Sequence, residues 1–326
     1  IYYIQNKMRN NNSWEYFKEA GNSFLNEKDY EKAIKYYEEG IKINNKIEEL
    51  YSNKATCEKF LLKFNEAIED YQKAINLNPD NHKNLNNLAN IFIIEGNLLD
   101  ALELMKKAIK LDPLNSKYLE KYNTIGDLLE KKGLMDKKIE EKKFEEAEEI
   151  CKKILEKWPR FKYSQKKYIF LLIENFKLLE AIGYAAQAVI IDNSIEDEEF
   201  DYLFSLALYY DGQYEKAAFT LVSMLENNLC KDKEVEYIDL LNKIGNVQSI
   251  KEKGNEKYSN KKYEEAIIEY TKSLEFDPKN RKLNSTILFN RALPYEKLNN
   301  KSKAIEDLNL AIKLNPYYTR GWFKKR

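Results

Sequence analysis

Residues 30–40 read YEKAIKYYEEG, and the same frame returns 34 residues later as FNEAIEDYQKA at 64–74 and again as LLDALELMKKA at 98–108. In each, a small residue (Ala33, Ala67, Ala101) is followed four positions on by a bulky one (Tyr37, Tyr71, Met105) and seven on by another small one (Gly40, Ala74, Ala108). Spacings of 0, 4 and 7 share one face of an α-helix. The small anchor recurs at Ala147, Ala181, Ala217, Ala266 and Ala304, so one unit is read eight times along the chain.

Punctuation follows the same period. Twelve residues past the anchor stand Pro79, Pro113, Pro159, Pro278 and Pro316, where a missing N–H and a fixed φ end a helix. Twelve residues before it stand Gly21, Ala55, Ala89, Gly254 and Ala292, small enough to let a first helix approach a second. The short turn between the two is marked by residues such as Lys28 to Tyr30, Gly212 to Tyr214 and Lys261 to Tyr263. The pattern predicts an all-α solenoid of helical hairpins, with units at 14–47, 48–81, 82–115, about 116–161, 162–195, 198–231, 247–280 and 285–318. A ninth unit opens at Thr319 with Trp322 in its first helix, which implies that the native protein continues past Arg326.

Composition agrees. The 326 residues are 43% hydrophobic and 33% charged, with 10 Gly and 6 Pro, as stacked amphipathic helices require. Each hairpin buries its apolar face only against its neighbours, so a chain of this length can remain one continuous array. Lys and Arg total 54 and Asp and Glu total 54, so no net field favours nucleic acid or an anionic membrane. Three cysteines, Cys57, Cys151 and Cys230, are scattered and odd in number, which reads as a reducing, cytoplasmic compartment. No apolar run approaches the ~18 residues of a spanning helix, and residues 1–13 lack the features of a secretory signal. The single His, His82, and the dispersed cysteines give no metal or catalytic constellation, and no glycine-rich phosphate loop is present.

Two polar sets recur with nearly one spacing. Lys18 and Asn22 are four apart on the first helix of the first unit, as are Lys251 and Asn255 in the seventh. Asn53 follows Asn22 by 31 residues, and Asn290 follows Asn255 by 35, the surplus assigned to a longer turn at Arg281 to Ser285. Lys83 and Arg320 each follow their Asn by 30, and Lys324 lies one turn beyond Arg320. Successive first helices thus aim ammonium, guanidinium and amide donors at one volume, which suits a peptide's terminal carboxylate with its two acceptor oxygens. Asn87 stands where a second base would be expected in the first set, and Lys117 and Lys121 on the next first helix are candidates for the missing charge. In the sixth unit Tyr202, Leu206 and Tyr209 leave the first helix apolar nearly all round. Such a helix is usually buried; the sharper alternative is an apolar groove for an unfolded client or a partner helix.

These repeats resemble the tetratricopeptide repeat over nearly the whole chain. The polar sets resemble the two-carboxylate clamp of co-chaperones that hold the C-terminal tails of heat-shock protein 70 and heat-shock protein 90. That resemblance implies a complete clamp at Lys251, Asn255, Asn290, Arg320 and Lys324 and a partial one at Lys18, Asn22, Asn53 and Lys83. The order of units resembles the cytosolic nine-repeat J-domain co-chaperones; the J domain's His-Pro-Asp is absent, since Lys83 follows His82. The implied organisation is a tail at 1–13, a clamp-bearing set at 14–127, middle repeats at 128–246 and a second clamp-bearing set at 247–326. The expected function is a non-catalytic adaptor, without cofactor, partnered with those chaperones and open to unfolded clients, and with neither nucleic acid nor membrane. A structural scaffold holding a partner helix, or a client-holding repeat protein, stands as the alternative.

Overall fold

The computed structural model describes residues 13–192, 198–227 and 234–316, and among these all regular structure is helical. The helices run α1 (Trp14–Asn26), α2 (Tyr30–Ile43), α3 (Glu48–Phe60), α4 (Phe64–Leu77), α5 (His82–Glu95), α6 (Leu98–Leu111), α7 (Ser116–Glu140) and α8 (Phe144–Lys157). They continue as α9 (Lys162–Glu174), α10 (Leu178–Asp192), α11 (Glu198–Tyr210), α12 (Tyr214–Glu226), α13 (Glu234–Ser259), α14 (Tyr263–Phe276), α15 (Arg281–Lys297) and α16 (Lys301–Leu314). The eight hairpins of the sequence reading are present. Their anchor alanines are the contact points: seven are wholly buried, and Ala304 is 6% exposed.

The turns inside the hairpins share one backbone device. Lys28, Leu62, Gly96, Lys142, Phe176, Gly212, Lys261 and Asn299 all have positive φ, between 58° and 95°. Each sits just past the end of a first helix, where a left-handed residue reverses the chain and lets the following N–H groups return to the last turn. Lys28 N–H, for example, donates to Leu25 O at 3.1 Å and Asp29 N–H to Phe24 O at 2.9 Å. Only two of the eight are glycine, so six carry the Cβ strain of that conformation.

Two compact units are formed, one by the described residues up to Leu171 with 191–192, the other by 172–190 with those from Glu198 onward. In the first, Ala33, Tyr37, Leu50 and Cys57 close a core between α1 to α3, and a larger cluster around Met105, Ile125, Met135 and Phe161 follows. In the second, Leu208, Leu221, Tyr237, Tyr270 and Ile287 are the centre, with Ala292, Ala304 and Leu308 beyond.

Three expectations about connections are corrected. The boundary at 127/128 falls inside α7, a continuous helix of 25 residues, because the extra residues of this repeat lengthen its first helix. The boundary at 246/247 likewise falls inside α13, a helix of 26 residues. Arg281 to Ser285 is no longer turn: it is the opening of α15, capped by Asn280, whose Oδ1 accepts from Leu283 N–H at 2.9 Å. The sixth proline, Pro294, lies within α15 and gives the carbonyl of Asn290 no helical donor.

Candidate functional site

In the first unit, α1, α3 and α5 carry the partial set. Gly21 is buried, and a Cβ there would meet Cε1 of Tyr37 at 2.5 Å, so the bare backbone lets the tyrosine ring of α2 lie directly beneath α1. The ring is fully enclosed and its hydroxyl reaches Oδ1 of Asn22 at 2.7 Å. The same oxygen accepts from Nδ2 of Asn53 at 2.9 Å. With both lone pairs of Oδ1 occupied, the Nδ2 of Asn22 is the group left to face a ligand, and it is a donor. Burial holds the Tyr37 phenol well above its usual pKa, aided by Cys57 nearby, so the hydroxyl stays a neutral donor.

Lys18 is ion-paired to Glu49 and stands 5.4 Å from the Trp14 ring. Lys83 is exposed, and its side chain has no hydrogen-bond or ion-pair partner among the described residues. Asn81 caps α5 by accepting from the Lys83 N–H at 3.1 Å, which fixes where that lysine leaves the helix.

The second unit repeats the device. Gly254 is buried and has no room for a Cβ against Tyr270 of α14. The Tyr270 hydroxyl donates to Oδ1 of Asn255 at 2.7 Å, and Nδ2 of Asn290 donates to it at 3.1 Å. The Tyr270 phenol is pushed up to about 12, by burial first and by Tyr258 second. Lys251 is half-exposed and has no ion partner among the described residues. Arg320 and Lys324, with Trp322, lie outside the described residues.

Behind each second asparagine sits a support that the sequence reading missed. Lys54, next to Asn53, bonds Asp70 at 2.6 Å and Glu58 at 2.7 Å. Arg291, next to Asn290, grips Asp307 with Nε at 2.8 Å and Nη2 at 2.7 Å. In both cases the acid follows the base by 16 residues and lies on the second helix of the same hairpin. The available signals were a Gly-Asn pair followed by Tyr 15 residues after the Asn, and an Asn-base pair followed by Asp 16 residues after the base. Each occurs in both units.

The candidate apolar groove divides. Tyr202 and Leu206 are half-buried, and Tyr202 packs against Tyr237 with centroids 5.8 Å apart. Tyr209 is fully buried, its hydroxyl donating to Oδ2 of Asp277 at 2.9 Å, so its assignment to an open groove is corrected. The start of α15 covers that end of α11, with Lys282 paired to Asp211 at 3.0 Å. Among the described residues no cluster of His, Cys, Asp and Glu could hold a metal, and no helix is long and apolar enough to cross a membrane.

Tetratricopeptide-repeat family profiles match residues 16–47, 48–81, 70–103, 252–280 and 285–318. DnaJ homolog subfamily C member 7 of Homo sapiens is 27% identical over 314 residues, which cover 95% of this chain and 62% of that protein. The chain spans less than two thirds of the length of the DnaJ homologs it matches. The Hsp70-Hsp90 organizing protein of Triticum aestivum is 36% identical over 75 residues, 23% of this chain and 12% of that one. The crystal structure of the P58(IPK) TPR domain has the same fold, with a TM-score of 0.60 at 17% identity, covering 96% of this chain and 97% of that chain.

Proposed function

This chain belongs to the tetratricopeptide-repeat proteins, and on that premise we propose that it is a non-catalytic, cytoplasmic co-chaperone adaptor. It holds the acidic C-terminal tails of heat-shock protein 70 and heat-shock protein 90 in grooves built on the Lys-Asn-Asn sets. The observation that carries the reading is the duplicated lock on the first asparagine. Asn22 and Asn255 each spend Oδ1 on a buried tyrosine and on the next asparagine, which leaves an amide donor beside a lysine. A carboxylate is the ligand that donors without acceptors select. Charge-assisted bonds contribute about 1.5–3 kcal/mol each, so several support affinity near micromolar, about −8 kcal/mol. The relatives named above are DnaJ homologs and an Hsp70-Hsp90 organizing protein, which supports chaperones as the source of the tail.

Lys251, Asn255 and Asn290, with Arg320 and Lys324, form the stronger groove in this reading, and Lys18, Asn22, Asn53 and Lys83 the weaker. The test is the affinity of a labelled peptide ending in Glu-Glu-Val-Asp for the whole chain, against its C-terminal amide and against Lys251→Ala. Micromolar binding that weakens with added salt and is lost in both controls supports the adaptor. Equal binding of acid and amide discards the clamp and favours a scaffold for a partner helix.

A further inference from the structure

One helix deeper in the first unit, Lys121 of α7 is held by two amide oxygens of α5, Asn86 Oδ1 at 2.6 Å and Asn90 Oδ1 at 2.9 Å. An ammonium has three donors and no acceptor, so one N–H of Lys121 remains, and no carboxylate among the described residues bonds it. Lys59, at the end of α3, is half-buried without an ion partner among the described residues and rests 5.3 Å from the Phe60 ring. The two lysines are close enough for each other's charge to matter: Lys121 is held below the usual lysine pKa by burial and then by Lys59. Three other lysines of this unit that are withdrawn from solvent are neutralised, Lys54 by Glu58 and Asp70, Lys132 by Asp136, Lys162 by Glu95. Two neighbouring cations without an anion among the described residues lower the protein's own stability and are relieved when one arrives.

We infer that Lys121, oriented by Asn86 and Asn90, forms with Lys59 a second anion subsite in the first groove, which takes an acidic side chain of an extended peptide upstream of its terminal carboxylate. This rests on the clamp reading for the direction of the peptide. Lys83 starts α5, and the Asn86 to Asn90 turn lies about 7–8 Å further along it at ~1.5 Å per residue. One interhelical spacing of about 8–10 Å lies across that direction, and the two combined at right angles span about 11–13 Å, roughly three to four residues of extended chain at ~3.3 Å each. The acid therefore stands three to four positions before the C-terminus. Beyond it the groove turns apolar: Asn90 also lines a cleft with Ile93, Ile94, Trp158 and Phe161, with Arg160 among its walls.

The experiment uses the whole chain carrying Asn255→Ala, so that the first groove is read alone. It compares two free-acid peptides that differ by Glu or Gln at the fourth position from the end. Lys121→Met, which keeps the stem, is expected to weaken the Glu peptide roughly tenfold and the Gln peptide under about twofold, while Lys83→Ala weakens both alike. An equal effect of Lys121→Met on both peptides, or none on either, overturns the subsite. A second readout does not depend on the clamp. Lysines are dimethylated with carbon-13 and titrated with an amidated tri-glutamate. Saturable shifts of the Lys59 and Lys121 signals support the inference even if free-acid and amide peptides bind alike, and their absence overturns it.

Discussion

Tyr37 and Asn22 are joined by a hydrogen bond of 2.7 Å that passes from the core of the first hairpin to the face of α1. The bond fixes which end of the Asn22 amide faces outward, so a residue that never meets a ligand sets the polarity of the groove. Tyr37→Phe should leave the fold intact and cost about 1 kcal/mol, the net worth of one such bond. Peptide affinity of the first groove should drop several-fold, with the second groove unchanged. Denaturant melts and peptide titrations of Tyr37→Phe and Tyr270→Phe in parallel check this, each variant weakening its own groove.

Gly254 and Gly21 test the packing beneath that lock. On an exposed helix Gly→Ala stabilises by about 1 kcal/mol. Here the added methyl would strike the ring of Tyr270 or Tyr37, and overpacking costs about 1–3 kcal/mol. Gly254→Ala should therefore destabilise, and adding Tyr270→Leu should recover part of the loss. A melt in which Gly254→Ala gains stability would refute the close approach.

Lys54 holds two buried carboxylates, Glu58 and Asp70, whose side chains are each 4% exposed. Lys54→Met leaves Glu58 without a counterion and Asp70 with only the exposed Lys73, 3.2 Å away, and should cost about 3–5 kcal/mol, while replacing Lys54, Glu58 and Asp70 together by apolar residues should cost far less. The pH dependence has a definite sign. Burial already holds the Glu58 carboxyl above its usual value of 4.5, against the opposing pull of Lys54, and removing Lys54 raises it further. A carboxyl with a raised folded pKa binds its proton more tightly in the folded state, so stability increases as pH falls through that value toward 4.5. The deficit of Lys54→Met should thus be largest near neutral pH and shrink in mild acid.

The repeat frame was legible because hairpin packing is written at fixed spacing, and the eight anchor alanines needed no knowledge of distant contacts. The left-handed turns were not, since Lys28, Lys142 and Lys261 carry no signature of positive φ and only Gly96 and Gly212 announce it. Lys142→Gly should accordingly raise stability by about 1 kcal/mol by removing Cβ strain, a gain that thermal denaturation would detect. The residues of the proposed clamp were visible as spacing, but their support was not, because it requires a tyrosine ring to pass under a glycine one helix away. Tyr209 was misplaced for a related reason. An all-round apolar helix does not say which face is covered, and Asp277, which receives its hydroxyl, is 68 residues distant.

Cys57 and Cys151 are fully buried, and burial pushes both thiols up to about 12, with Glu58 adding to the first and Glu148 to the second. At pH 8 their thiolate fractions are on the order of one in ten thousand. In a Cys230→Ser background the folded chain should react slowly with a thiol reagent at that pH and take up two equivalents on unfolding. Rapid labelling of the folded chain would contradict the enclosure of these side chains.

Glu49 separates the two grooves. It stands four residues before Asn53 and pairs with Lys18, so the first groove already contains a carboxylate of its own. Four residues before Asn290 the second groove has Thr286, and Lys251 has no partner among the described residues. In the proposed clamp an incoming peptide displaces Glu49 from Lys18 but nothing equivalent among the described residues from Lys251. Glu49 is more than half exposed, and pairs of this kind are worth at most about 1 kcal/mol. Glu49→Gln should therefore tighten the first groove by no more than about fivefold and leave the second unchanged. Because the competing ion pair is itself weakened by salt, the gain should diminish as ionic strength rises, and titrations at low and high salt would show it. A gain that persists at high salt would mean that Glu49 acts through something other than its charge.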